Sequence, residues 1–341
     1  MSTVLIIGMG DMGERLAGRL GEGGHVRRLV LAGRSTVDEV AAAVASTSEC
    51  LVEAAKVDAT SREQVAELID RTRPDLVIQC AAVRGPWAMA GREDAAALAV
   101  ARAGLALRLP YQLPVPLAVM RATRDAGYTG PVANLSFPDV TGPVLAALGL
   151  APTLGLGNAA MIQLRVRSAL SAPRPLIRVL AHHSQVFDVM QAREPAEPVR
   201  VYLGEDGRRA DELAYQAPPL APGIRYNHVT AAAAIPVLHA LLPGAAPLRW
   251  STASPGGLPG GYPVLIERGT VTLDLPPGLD RAEAIAFNEH HARGDGVERI
   301  DDDGTVHFTQ ECRQAVPHLT APLAVSDLEE RAEALDAFLD D

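Results

Sequence analysis

Met1-Ser2-Thr3-Val4-Leu5-Ile6-Ile7-Gly8-Met9-Gly10-Asp11-Met12-Gly13 is the stretch that decides the fold. The apolar run Val4–Ile7 leads into three glycines spaced G-x-G-x-x-G, and the helix-forming segment Glu14–Leu20 follows at once. Strand, glycine turn and helix in this order make a dinucleotide pyrophosphate site. Gly8 permits the tight turn, Gly10 lets the backbone approach a phosphate, and Gly13 lets helix and strand pack closely. The anion lies at the helix N-terminus, on the free amides around Asp11 and Met12, where the helix dipole favours negative charge. A purely structural glycine turn is the competing reading, so the motif gains weight only from what surrounds it.

The 341 residues allow two domains around a large interior. Hydrophobic residues make up 48% and charged residues 21%, which is ordinary for a folded globular chain. A net charge of −10 argues against nucleic acid or an anionic membrane as a partner. The three cysteines, Cys50, Cys80 and Cys312, show no metal-ligand spacing and suit a reducing compartment. The chain begins in a strand without a signal-peptide pattern, so the expectation is a cytoplasmic protein. The uncharged span Val140–Leu164 is broken by prolines and glycines and is read as buried strands and turns. Lys56 is the only lysine among 31 basic residues and follows no phosphate motif. That removes Schiff-base chemistry, Walker-type nucleotide hydrolysis and reductases that rely on a catalytic lysine.

Past the first helix, His25–Ala32 reads as a second strand ending in Gly33-Arg34-Ser35-Thr36. A carboxylate at this point would hold the ribose hydroxyls of NAD. Arg34 with Ser35 suits a 2′-phosphate, so NADP is favoured over NAD. Leu51–Val57 is a third strand ending at Asp58, which either contacts the adenine or caps the helix from Ser61. Leu76–Ala82 is a fourth, continuously apolar strand, as expected for a parallel sheet covered on both faces.

The fourth strand runs into Ala81-Ala82-Val83-Arg84-Gly85-Pro86-Trp87-Ala88-Met89-Ala90-Gly91-Arg92-Glu93-Asp94. This stretch resembles the mobile loop of the lactate/malate dehydrogenase superfamily, A-G-x-x-R-x-P-G-M-x-R-x-D, with about two extra residues. The resemblance implies that Arg84 and Arg92 bind a substrate carboxylate and that Ala81 borders the cofactor. A loop past a strand's carboxyl end is also where open α/β sheets bind ligands. After a fifth strand, Asn134-Leu135-Ser136-Phe137-Pro138-Asp139 stands where the superfamily has N-P-V-D. Asn134 or Ser136 is then the residue that contacts the substrate carbonyl.

The second half keeps the superfamily's element order. In Thr153–Leu170, Arg165-Val166-Arg167 resembles the R-x-R of its D-x-x-R-x-R helix, which implies that Arg165 clamps the carboxylate. The aspartate that orients the catalytic histidine in that family falls on Ile162, so another group is needed, with Asp188 and Asn158 in reach of the sequence argument. Gly155-Leu156-Gly157-Asn158 also resembles a segment of the related NAD-dependent family-4 glycosidases, but without their metal cysteine. Leu176–Leu180 ends in Ala181-His182-His183-Ser184, which resembles G-x-H-G and makes His183 the proton donor and acceptor, with His182 as its alternative. Hydride addition to a carbonyl leaves an alkoxide to protonate, and histidine titrates near neutrality. Adjacent histidines on one strand would face opposite ways, so no metal is expected. Gly223–Leu242 resembles the long helix that carries an active-site hydroxyl, which implies Thr230. Gly269 turns a hairpin, and Ser326 with Glu329 forms a capping box on a final helix.

The expectation is an α/β protein. Residues 1–140 form a Rossmann-type doubly wound parallel sheet that binds a dinucleotide. Residues 141–341 form an α+β substrate and oligomerisation domain. The implied activity is an NADP-dependent oxidoreductase acting on the carbonyl or imine of a small carboxylate such as a 2-oxo/2-hydroxy acid, in a homodimer or homotetramer. The alternatives are a non-catalytic NADP-binding sensor or scaffold and a glycosidase-like redox hydrolase.

Overall fold

The computed structural model describes residues 2–89 and 91–340. Met1, at the head of the glycine stretch, Ala90, inside the arginine loop, and the terminal Asp341 lie outside the described residues. Fourteen strands are described. Six belong to the parallel part of the fold: β1 Ser2–Ile7, β2 Val26–Gly33, β3 Leu51–Lys56, β4 Leu76–Gln79, β5 Val132–Asn134 and β6 Leu154–Gly155. In the second half come β7 Ile177–Leu180, β8 Arg200–Leu203, β9 Arg208–Arg209, β10 Leu248–Ala253, β11 Gly261–Glu267 and β12 Thr270–Leu273, with β13 Val297–Ile300 and β14 Val306–Phe308 near the C-terminus.

One nine-stranded sheet in the order β12-β11-β10-β6-β5-β4-β1-β2-β3 runs through both halves. Its parallel part reads 3-2-1-4-5-6 from the far edge, the doubly wound order of a dinucleotide-binding sheet. Val4–Ile7 and Leu76–Ile78 are almost wholly buried on both faces, which is why these strands read as unbroken apolar runs. The second half adds the antiparallel β10–β12 to the same sheet and builds a three-stranded sheet β7-β8-β9 and the ribbon β13-β14. The β11–β12 hairpin turns on Arg268 and Gly269, both at positive φ, as the glycine reading expects. The last helix, Leu328–Asp340, folds back and buries Leu328, Leu335 and Leu339 in the core of the first half.

Four local expectations are corrected. Ser61, not Asp58, caps the helix Arg62–Thr72. Asp58 instead accepts from the Thr60 amide at 3.0 Å and hydroxyl at 2.8 Å. His182 and His183 do not share a strand: β7 stops at Leu180, and His182 is the N-cap of the helix His183–Met190. The span Val140–Leu164 is mostly helical, in Pro138–Ala147 and Asn158–Ala169, with Pro143 inside the first of these helices. Ser326 lies in a short turn before the last helix and donates to the Asp327 carboxylate, so no capping box with Glu329 forms.

Candidate active site

The parallel strands end side by side, and that edge gathers the site. Gly8 lies at φ +104°, and a Cβ there would stand 2.6 Å from the Ala81 amide nitrogen. At Gly13 a Cβ would stand 1.9 Å from the Gly8 carbonyl oxygen. Both glycines are therefore forced by close approach of backbone to backbone. Gly10 differs, because a Cβ there would meet nothing within 4 Å. Gly10 is also the N-cap of the helix Asp11–Glu22, and no side chain caps it. Open space in front of bare helix-start amides fits a pyrophosphate, and Gly8, Gly10, Asp11, Met12 and Gly13 would hold it. Arg34 and Ser35 are exposed just past β2, and Thr36 donates to the Met9 carbonyl at 3.3 Å. The Thr60 bonds hold the Asp58 carboxyl below its ordinary range, with a smaller contribution from the Arg34 charge.

From this turn a line of contacts leads to the histidines. Ala81 packs on Gly8, the Ser136 hydroxyl donates to the Ala81 carbonyl at 3.1 Å, and the ring of the next residue, Phe137, meets His183 edge-on at 5.1 Å. His183 opens its helix, and its backbone amide donates to Asp139 at 3.0 Å. The other oxygen of Asp139 takes the Asn158 amide. His183 Nδ1 lies 2.9 Å from both carboxylate oxygens of Asp295, which is 4% exposed. Nδ1 is thus committed to a carboxylate, and Nε2 is left to exchange a proton with a ligand; about a third of the side chain is open (32%). Burial opposes the imidazolium, but Asp295, and after it Asp139, overrides burial and raises the His183 pKa. Burial likewise opposes ionisation of Asp295, and His183 with His182 holds it far below the usual carboxylate range. Asp139 goes the other way, pushed up by burial against the pull of the two histidines.

His182 is fully buried, with Nδ1 3.3 Å from both Asp295 and the Ser184 amide. It supports the helix start and the carboxylate, while His183 faces the open side. Asp188 pairs with Arg193 at 3.0 Å and does not reach His183.

The carboxylate-binding candidates do not converge on His183. Arg165 is buried and donates to the carbonyls of Ala217, at 2.9 Å, and Pro218, at 2.5 Å. Arg84 pairs with Asp336 of the last helix at 2.8 Å, over the Tyr111 ring. Arg92 pairs with Asp94 at 2.8 Å and donates to the Leu339 carbonyl at 2.5 Å. Asn134 is buried and spends its amide on Thr141 and Ser136. Thr230 donates to the Tyr226 carbonyl at 3.1 Å, and its methyl would lie 3.8 Å from a Cβ on Gly157. The arginine loop is instead tied to the glycine turn. The Trp87 indole donates to Asn227 at 3.2 Å, and the Asn227 amide donates to Asp11 at 2.7 Å.

Sequence reading missed Asp295, Asp139 and Arg108. Asp295 lies 112 residues from His183, so no local spacing could pair them; its only mark is the glycine on either side, in Gly294-Asp295-Gly296. Asp139 stands at the end of the Asn134–Asp139 junction but carried no role. Among the described residues, no group of three or more His, Cys, Asp or Glu side chains is placed to hold a metal ion.

Residues 2–103 match the KR domain family. No curated protein matches the sequence. Among solved structures, the minor L-lactate dehydrogenase from Enterococcus mundtii is similar in two forms. In the ligands-bound form the identity is 15%, the TM-score 0.50, and the match covers 85% of this chain and 95% of that one. In the ligands-unbound form the values are 14%, 0.50, 86% and 95%. A lactate dehydrogenase from a Medee basin deep-sea metagenome library matches with 14% identity and a TM-score of 0.49, over 86% of this chain and 96% of that one. Together with the strand order 3-2-1-4-5-6 and the antiparallel extension, the two forms of the Enterococcus mundtii enzyme show that the chain shares the fold of that L-lactate dehydrogenase.

Proposed function

We propose that the protein is an NADP-dependent oxidoreductase that moves hydride between the nicotinamide and the carbonyl or imine carbon of a small carboxylate such as a 2-oxo/2-hydroxy acid. The observation that carries this reading is the His183–Asp295 pair beside a glycine turn built for a dinucleotide. The bound cofactor supplies or accepts a hydride. This chain's residues do the rest. Asp295 fixes the His183 ring with Nε2 outward and stabilises its charged form, so His183 can give a proton to the oxygen or nitrogen that becomes anionic during reduction. In the oxidative direction the neutral ring accepts the same proton. Phe137 packs edge-on against the ring. The non-catalytic alternative rested on Ile162 standing where an orienting aspartate belongs, and Asp295 supplies that carboxylate from another part of the chain.

Preference for NADP rests on Arg34, exposed just past β2, where the sequence Gly33-Arg34-Ser35-Thr36 offers no carboxylate for a ribose. Assembly as a homodimer or homotetramer and a cytoplasmic location belong to the same proposal; among the described residues no helix is long and apolar enough to cross a membrane. The experiment is titration with NADPH and NADH, followed by a screen of small 2-oxo acids for absorbance loss at the nicotinamide band. NADPH binding at least about 10-fold tighter, with turnover of one acid class, supports the reading. Absence of binding by either nucleotide overturns it.

A further inference from the structure

We infer that Arg108, rather than Arg84, Arg92 or Arg165, is the cation that receives the substrate carboxylate; this rests on the oxidoreductase reading above. Arg108 ends a short turn, Leu105–Arg108, beside the arginine loop. Among the described residues its guanidinium donates only to the Pro86 carbonyl of that loop, at 3.4 Å, and its buried Nε has no partner. Among the described residues no carboxylate pairs with it, and burial is the main influence on its charge, lowering its pKa. A buried donor left unsatisfied on a cation is costly unless an anion completes it. Arg84 is paired with Asp336 and Arg92 with Asp94 and a carbonyl. Arg165 also has a buried Nε without a partner among the described residues, but its Nη2 is held by two carbonyls and it does not line the cavity beneath the loop.

Position supports the same assignment. Arg108 borders a small cavity of about 40 Å³ beneath the loop, which Arg84, Arg92, Tyr111 and Gln112 also line. Its charge is felt at His183, where it opposes protonation against Asp295 and Asp139. An anion bound on Arg108 cancels that opposition, so substrate binding raises the proton affinity of the donor that then acts on it. A small planar 2-oxo acid places its carboxylate on the fork of Arg108 and its carbonyl toward His183. Arg84 and Arg92 then serve as loop anchors on the last helix.

The test titrates oxalate, a planar carboxylate probe, into protein loaded with NADPH, for wild type, Arg108→Met, Arg108→Lys and Arg84→Met. Loss of a charge-assisted pair predicts about 10- to 100-fold weaker oxalate binding in Arg108→Met, with NADPH affinity held within about two-fold. The lysine variant recovers part of the loss, and Arg84→Met loses less than Arg108→Met. Without oxalate, the pH midpoint of His183, followed by NMR, moves up in Arg108→Met because a repelling charge is gone. Oxalate bound equally by wild type and Arg108→Met, a larger loss in Arg84→Met, or a wild type that holds NADPH but not oxalate each overturns the inference. If Arg108→Met does not fold, the same readings are taken in Arg108→Gln, where full oxalate affinity with an unmoved His183 midpoint has the same force. Failure of the wild type to bind NADPH sinks the oxidoreductase reading instead.

Discussion

His183 and Asp295 depend on one another. Because Asp295 raises the His183 pKa, the proton donor stays charged above the ordinary histidine value near 6.5. Asp295→Asn removes that support and leaves burial and Arg108 acting against the proton. The alkaline limb of kcat/KM for reduction is then expected to move to lower pH, with kcat down by about 10²–10⁴-fold; an unmoved limb contradicts the assignment. Linkage has a fixed sign here. The raised His183 stabilises the fold fully below about 6.5, and that contribution is lost as pH rises through its folded value. The depressed Asp295 stabilises above about 3.9, and that contribution is lost only as pH falls well below it. Arg34→Ala is a second residue-scale test. It is expected to weaken NADPH about 10-fold or more while leaving NADH within about two-fold, read by fluorescence titration.

At the scale of elements, the glycine turn separates structure from ligand. Gly13→Val drives a side chain into the Gly8 carbonyl and is expected to cost about 1–3 kcal/mol or more, seen as a lower midpoint in urea. A Cβ at Gly10 meets nothing within 4 Å, so the midpoint of Gly10→Ala should stay near wild type while NADPH affinity falls at least about 10-fold. Equal affinity in that variant would leave the turn without a ligand role. These positions were legible because strand, turn and helix are contiguous in sequence. The arginine loop was legible as a loop but not in its attachments, since Arg84 finds Asp336 and Arg92 finds the Leu339 carbonyl only once the last helix folds back. Asp336→Asn weakens that anchor and is expected to speed proteolytic cleavage of the loop around Trp87.

For the whole molecule, apolar runs alternating with helices made the parallel sheet readable from sequence, and its strand order followed from the doubly wound pattern. Less legible was everything that joins distant parts of the chain. Asp295 reaches His183 across 112 residues, and the sheet continues through β10–β12 without a break at residue 140. Single-sequence periodicity reports which face of an element is buried, not which other element covers it. The last helix shows the consequence, because Leu335 is 1% exposed within the core of the first half. Leu335→Ala is expected to cost about 2–5 kcal/mol in denaturant unfolding, although it lies far from the nucleotide turn in sequence.

The central claim is hydride transfer on this scaffold with His183 as proton donor. Its most direct test incubates the protein with NADPH deuterated at the transferable C4 position and a panel of small 2-oxo acids, with products read by mass spectrometry. The account predicts a 2-hydroxy acid heavier by the transferred deuterium, formed by the wild type and reduced at least about 100-fold in His183→Asn. Bound NADPH with no labelled product from any acid in the panel, or full product formation by His183→Asn, would contradict it.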